Sequence, residues 1–479
     1  MALFNKKNKK QEKNKSSDNK SKSVYKTPVL SISNNIVFTN KSVWAYYKLT
    51  DKPYDFLSTS AKVGLSHATT QSLASLVRRE DQSVDCHLLI VNNPFDPTDW
   101  EAQMIRNYNK IENAQKKIEE SLQYRLTQPR DIFDDYVEET TYDLYNGNYM
   151  KRVTFLGVKL FTRGSFNFDV NPLESGLANA KEIYKNSLLQ LFAVPDERIT
   201  KEEEERAIAS EKEIYQTLHE GSLAARRPSV EELLLTMKRR YYPSMPVPYL
   251  EISHDERVGL SDIEIETGGE MYVRPRGIEM KQFIDGEIVS GFRTTLTVSS
   301  FPKQMIVPSN LLPFFSRPSV LPFTCSARFV LTPTEKMRKD ESKKKLEAQD
   351  EIANLQSSGQ AVNQSLRDTL TDLEIMDYEL TERREPWITG SYRITIEGKN
   401  QEVVNQIING MQQEFKRDDI VLSLTTGDQL QLFREEQIGG DIEIKDFQHV
   451  TNLALLAAAG INHGGDIGDP ITVMSNTSK

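Results

Sequence analysis

The chain has 479 residues, a length that suits two to three domains rather than one core. Hydrophobic content of 38% and charged content of 27% describe a polar globular chain, and no apolar run approaches the roughly 18 residues of a helical membrane span. Two cysteines, Cys86 and Cys325, exclude a disulfide framework and read as small buried hydrophobes; with a start, "MALFNKKNKK", that lacks the apolar core of a signal peptide, they predict a cytoplasmic protein.

The net charge of -9 is unevenly placed. Residues 1–26 hold nine lysines against one Asp and one Glu, a surplus of +7, which leaves -16 on the remainder. Such a tail is expected to be disordered. It suits an anionic membrane leaflet or a phosphate backbone, and equally a solubilising role with no fixed partner.

In chain order, a disordered tail is expected over 1–34 and a first α/β sub-domain over 35–242. "VWAYYKL" (Val43 to Leu49) is a strand by its aromatic and branched residues. A helix follows over 59–79, then a buried strand, "DCHLLIV" (Asp85 to Val91). Thr98 and Glu101 form a capping-box pattern that opens a long charged helix reaching about Leu126. "RVTFLGVKLF" (Arg152 to Phe161) returns to strand. Residues 172–241 read as exposed helices, with capping boxes at Thr200/Glu203 and Ser229/Glu232. The run Lys201 to Arg206 is a solvated first turn that suits the helix dipole, not a metal site.

Prolines 243, 246 and 248 mark the passage to a second α/β sub-domain over 243–455. Alternating side chains over Glu270 to Pro302 and over Val320 to Pro333 imply several antiparallel strands, with Asp285-Gly286 as a tight hairpin turn. Residues 334–380 form a charged helical hairpin projecting from the sheet, broken at Ser357, Ser358 and Gly359. Val362, Leu366, Leu370 and Leu373 share one helix face. Last comes a ferredoxin-like unit. Tyr392, Ile394 and Ile396 alternate on a strand, Val403, Val404, Ile407, Ile408, Met411 and Phe415 form a helical stripe, and Ile420, Leu422 and Leu424 alternate again. The expected fold class is therefore α+β, with mixed or antiparallel sheets. Leu453 to Ile461 reads as a short buried helix, and 456–479 as a linker toward a domain that does not follow.

No catalytic signature emerges. A phosphate loop needs glycines that let backbone N–H groups converge on phosphates and a Lys that reaches the β- and γ-oxygens; no G-x-x-x-x-G-K-[ST] string is present. The six histidines (His67, His87, His219, His254, His449, His463) are scattered, without metal-ligand spacing. Cys86 and His87 are neighbours, but adjacent residues on a strand point to opposite faces and cannot form a dyad. Asp134-Asp135 lies in a charged helix without an evident cleft. The sequence thus assigns no catalytic, cofactor-binding or metal-binding residue.

Three stretches carry a resemblance: "VWAYYKLTDKPYDFLS", "YVRPRGIEMKQFIDGEIVSGFRTTLTVSSFP" and "GINHGGDIGDPITV". They resemble the N-terminal region of conjugation ATPases of type IV secretion systems, the VirB/TraC/TrbE kind, and most closely versions carried by mobile genetic elements. The resemblance implies an assembly and docking unit for DNA transfer, peripheral to the inner face of the cell membrane and in contact with channel subunits. ATP and Mg²⁺ belong to the motor domain of a full-length family member, and no phosphate-loop residue carries over to this chain, which is expected to be truncated before it. The alternatives are a nucleic-acid- or membrane-surface-binding accessory protein acting through the Lys-rich tail, and an enzyme whose site is assembled from dispersed residues. Homo-oligomerisation through exposed sheet edges or through 334–380 stays open.

Overall fold

The computed structural model describes residues 28–50, 57–77, 82–94, 150–163, 199–247, 269–284, 286–302, 323–378 and 387–458, with shorter pieces between them. Residues 1–27 of the expected tail, Thr98, Asp134-Asp135, His254, Asp285 and the stretch 465–479 lie outside the described residues; the end of that expected tail, Val29–Ser33, is instead a buried strand, because its alternating apolar residues pair into the sheet.

A meander of β1 (Val29–Ser33), β2 (Ile36–Thr39) and β3 (Ser42–Lys48) opens the fold, followed by β4 (Lys52–Pro53), α1 (Thr59–Ala74), β5 (Val84–Pro94), β6 (Met150–Thr162), α2 (Lys201–Glu220), α3 (Val230–Arg239) and β7 (Arg257–Gly259). A second meander follows: β8 (Glu270–Arg274), β9 (Gly277–Ile284) and β10 (Glu287–Ser300). Then come β11 (Phe323–Leu331), α4 (Thr334–Ser357), α5 (Gln364–Tyr378), β12 (Trp387–Gly398), α6 (Gln401–Arg417), β13 (Val421–Leu424), α7 (Gln429–Glu436), β14 (His449–Asn452), α8 (Leu453–Ala458) and β15 (His463–Gly464). The fold is α+β, built on one 13-stranded antiparallel sheet; β15 and β4 add a small parallel pair.

Local chemistry explains the helix starts. Thr200 and Ser229 each accept from the backbone N–H three residues on, while Glu203 and Glu232 reach back to the cap N–H, so both capping boxes form. Asn400 caps α6 by accepting from Val403 N. On α6, Val404, Ile408, Met411 and Phe415 are buried at spacings of 4, 3 and 4, whereas Val403 is exposed. The 3.6-residue period rotates Val403 off the stripe.

The sheet runs β7-β1-β2-β3-β6-β5-β11-β12-β10-β9-β8. Its two sides repeat one connectivity. In each, a three-stranded meander is followed by a crossover to a strand two places away, then by a strand inserted between (β3-β6-β5 and β10-β12-β11). The connections preceding the inserted strands, 95–149 and 332–386, are equal in length. Among the described elements, each inserted strand is followed by a helix, α2 or α6, then by a return beside the meander's last strand and a second helix, α3 or α7. The return is β13 beside β10 in one half and the isolated bridge Lys48↔Arg226 beside β3 in the other. β5 and β11 pair antiparallel from Val84↔Leu331 to Ile90↔Cys325, so an approximate two-fold passes between them and residues 35–242 and 243–455 share a sheet.

Alternation divides the sheet's faces. One carries Tyr47, Cys86, Leu88, Leu156, Val158, Leu296, Phe329, Tyr392 and Ile394 against Leu73 of α1, Leu218 of α2, Ile408 and Phe415 of α6 and Leu456 of α8. On the other, Trp44, Tyr46, Leu89, Val91 and Phe155 meet Leu233, Leu234 and Met237 of α3. Further along that face, Tyr241, Tyr242, Ile278 and Met280 meet Phe433 of α7. Away from the sheet, α4 and α5 pack on each other through Lys345–Asp377 at 2.9 Å, with Met337, Met376 and Leu380 clustered where the pair starts. Leu366, Leu370 and Leu373 are half-buried in that contact.

Candidate functional site

The most concentrated chemistry lies where α3 and α7 end over the middle of the sheet. Arg293 (β10), Arg328 (β11), Arg393 (β12) and Arg240, the C-cap of α3, converge there with Glu435 and Glu436 at the end of α7. All six are buried. Arg293 Nη2 lies 2.6 Å from Glu436 Oε2, and its Nη1 donates to Arg240 O at 2.9 Å. Arg240 lies 3.4 Å from Glu436 Oε1 and also donates to Glu436 O. Arg328 donates through Nε to Glu435 O at 3.0 Å and through Nη2 to Gln437 O at 3.2 Å, with its guanidinium over the Trp44 ring. Arg393 faces Glu435 at 3.6 Å. Glu435 accepts from the backbone N–H groups of Glu443 and Ile444, which ties the following segment to the same hub.

Four guanidinium groups against two carboxylates would leave a buried surplus of positive charge. The backbone answers it. Two helix C-termini, each carrying roughly half a negative charge, point unpaired carbonyls into the hub. Arg293 serves the last turn of α3, and Arg240 and Arg328 serve that of α7. Burial pushes the Glu436 carboxyl up, but Arg293 and Arg240 outweigh it and hold it below its ordinary value. At Glu435 burial dominates and the net shift is upward. Burial also lowers Arg240 and Arg328, offset in part by these neighbours.

Beside the hub runs a buried relay. Tyr46 OH is 3.1 Å from His87 Nδ1, and His87 Nε2 is 2.9 Å from Ser326 Oγ. Gly439 N–H donates to the Tyr46 oxygen at 2.8 Å. With Gly439 N–H already donating to that oxygen, we assign the Tyr46 proton to Nδ1 and the imidazole hydrogen to Nε2, facing Ser326 as acceptor, the arrangement that gives each group a partner. Serine beside histidine resembles a nucleophile and its base, but this tautomer leaves Nε2 no lone pair to take the serine proton. Burial, then Arg328 and Arg240, hold His87 well below its usual pKa and keep it neutral. Gly157 makes the relay possible. It is the cross-strand partner of both Tyr46 and His87, and a Cβ there would meet Tyr46 Cε1 at 2.6 Å, so only glycine lets the tyrosine ring pass over β6.

Cys86 and His87 do point to opposite faces, the thiol into the core beneath α1 and α2 and the imidazole into the relay. Burial raises both Cys86 and Cys325, and neither thiol is poised for reaction. His449 contacts Val298 O at 2.9 Å within a ring cluster of Phe301 and Tyr392. His219 stacks on Tyr215. Among the described residues no group of His, Cys, Asp and Glu gathers to hold a metal, and no helix is long and apolar enough to cross a membrane.

Sequence reading passed over the hub because Arg293, Arg328 and Arg393 alternate with apolar neighbours and so read as a water-facing strand edge. One signal was available. The same parity holds Thr295, Thr297, Ser326, Ser391 and Thr395, a face of hydroxyls and arginines with no lysine and with glutamate only toward the strand ends, at Glu287 and Glu397.

The chain matches no family model, and no curated protein matches it.

Proposed function

We propose that the chain is the assembly and docking part of a conjugative DNA-transfer (type IV secretion) ATPase, itself without a nucleotide-hydrolysis site. The observation that carries this reading is the use made of the buried charge: Arg293, Arg240 and Arg328 each bond the protein's own carboxylates or helix ends, and all three are buried, out of reach of a phosphate in solution. A sheet fastened in this way is a rigid platform. The stretch from Tyr272 to Pro302, part of the resemblance to that family, supplies most of β8, all of β9 and β10, and hub residue Arg293. Its partners are channel subunits at the inner membrane face, which it meets peripherally; ATP and Mg²⁺ belong to a motor domain. Calorimetric titration of the purified chain with Mg-ATP, alongside co-purification with channel subunits, tests this. No nucleotide binding together with channel association is expected, and ATP binding at roughly micromolar Kd contradicts it.

A second reading is favoured by the +7 surplus of residues 1–26: contact with DNA or an anionic leaflet through that tail. It requires binding that weakens steeply with salt and disappears when residues 1–26 are removed.

A further inference from the structure

The described sheet ends at β8, five residues reading Glu-Met-Tyr-Val-Arg. One edge of β8 pairs with β9 from Glu270↔Lys281 to Arg274↔Gly277; no described strand pairs with the other. Four of its five residues are exposed, including Tyr272 at 37% and Val273 at 47%. An edge of this kind presents unpaired N–H and C=O groups to any strand that can add to it. Natural edges are blunted by central lysines, prolines or bulges. β8 has instead an apolar, β-prone centre, and its charges stand only at the two ends.

We propose that β8 pairs antiparallel with β8 of a second copy of this chain, about a two-fold axis through Tyr272. The strand's own order argues for that occupant. With Tyr272 opposite its counterpart, Glu270 falls opposite Arg274 of the second copy and Arg274 opposite its Glu270, while Met271 and Val273 meet each other. The charge pattern is self-complementary, as an isologous interface requires. Within one chain these end groups hold partners near the surface, Glu270 the exposed Tyr272 hydroxyl at 2.6 Å and Arg274 the half-buried Glu279 carboxylate at 2.8 Å and the face of the Tyr272 ring. Exchanging these contacts for cross-strand pairs therefore sacrifices little. The pairing joins two sheets edge to edge and leaves the arginine hub of each untouched. It rests on the strand's chemistry alone and stands apart from the DNA-transfer reading.

The test is sedimentation of the full chain over a concentration series, with charge and cysteine variants. A monomer–dimer equilibrium is expected. Arg274→Glu, which sets glutamate opposite Glu270, should weaken the dimer at least about tenfold, and the swap Glu270→Arg with Arg274→Glu should restore it. Under mild oxidation Tyr272→Cys should cross-link the dimer through its two-fold position, whereas Met271→Cys and Val273→Cys, each alone, should cross-link poorly. Native thiols do not interfere, because Cys86 and Cys325 are buried. A chain that stays monomeric up to about 100 μM, a swap that fails to rescue, or a Tyr272→Cys variant that does not cross-link overturns the proposal.

Discussion

Arg293 and Glu436 stand 143 residues apart in sequence and meet at 2.6 Å in the buried middle of the molecule. Arg293 lies on β10, the last strand of the second repeat's meander, and Glu436 ends α7, the helix that closes that repeat. The other amino group of Arg293 caps α3, the last helix of the first repeat. One guanidinium thus fastens the ends of both halves, and Thr395 adds a 2.6 Å hydrogen bond to the same carboxylate.

Tyr46 holds the segment after α7 by a single oxygen, through Gly439 N–H. Tyr46→Phe leaves that donor and His87 Nδ1 without their partner inside the protein. Urea unfolding should reveal a loss of about 1–3 kcal/mol. An unchanged midpoint would mean that the relay is dispensable.

His87 sets a pH dependence. Its folded-state pKa is lowered, so the folded protein binds fewer protons than the unfolded chain just below the unfolded value of about 6.5. The stability owed to a neutral His87 is complete above that pH and is lost as pH falls through the folded pKa. His87→Gln should flatten the upper part of the acid limb. Glu436, also lowered, acts with the same sign further down, below about pH 4.3. The check is the difference between wild-type and His87→Gln stability from neutral pH to pH 5; equal slopes would refute the assignment.

Two glycines should respond oppositely to alanine. At Gly157 the added methyl meets the Tyr46 ring, and a loss of about 1–3 kcal/mol is expected. At Gly64, within α1, nothing lies within 4 Å of the new carbon, and alanine should stabilise by about 0.5–1 kcal/mol. Thermal midpoints of the two variants decide both.

What the sequence made legible was local. Thr200/Glu203 and Ser229/Glu232 announce their helices because a capping box needs only four residues. β12, α6 and β13 are readable because periods of 2 and 3.6 are written in neighbouring residues. The pairing of β12 and β13 through β10, which makes that unit a split β-α-β, is not, since β10 lies about a hundred residues earlier. The repeat escaped for a similar reason. It exists in connectivity, with a four-residue strand, β13, answering a single bridge at Arg226. The hub was hidden because a polar strand face reads alike whether water or a helix end covers it.

The claim on which the rest depends is that the arginine–glutamate hub holds the two repeats as one cooperative body. A double-mutant cycle tests it most directly, with Arg293→Met, Glu436→Gln and the pair, unfolded in urea. Fluorescence of Trp44 reports the first half and that of Trp387 the second, after replacement of Trp100 by Phe. Each single variant should lose about 3–5 kcal/mol, the pair should lose clearly less than the sum, and both tryptophans should report one shared transition. Additive losses, or two separate transitions in the wild type, would contradict the account.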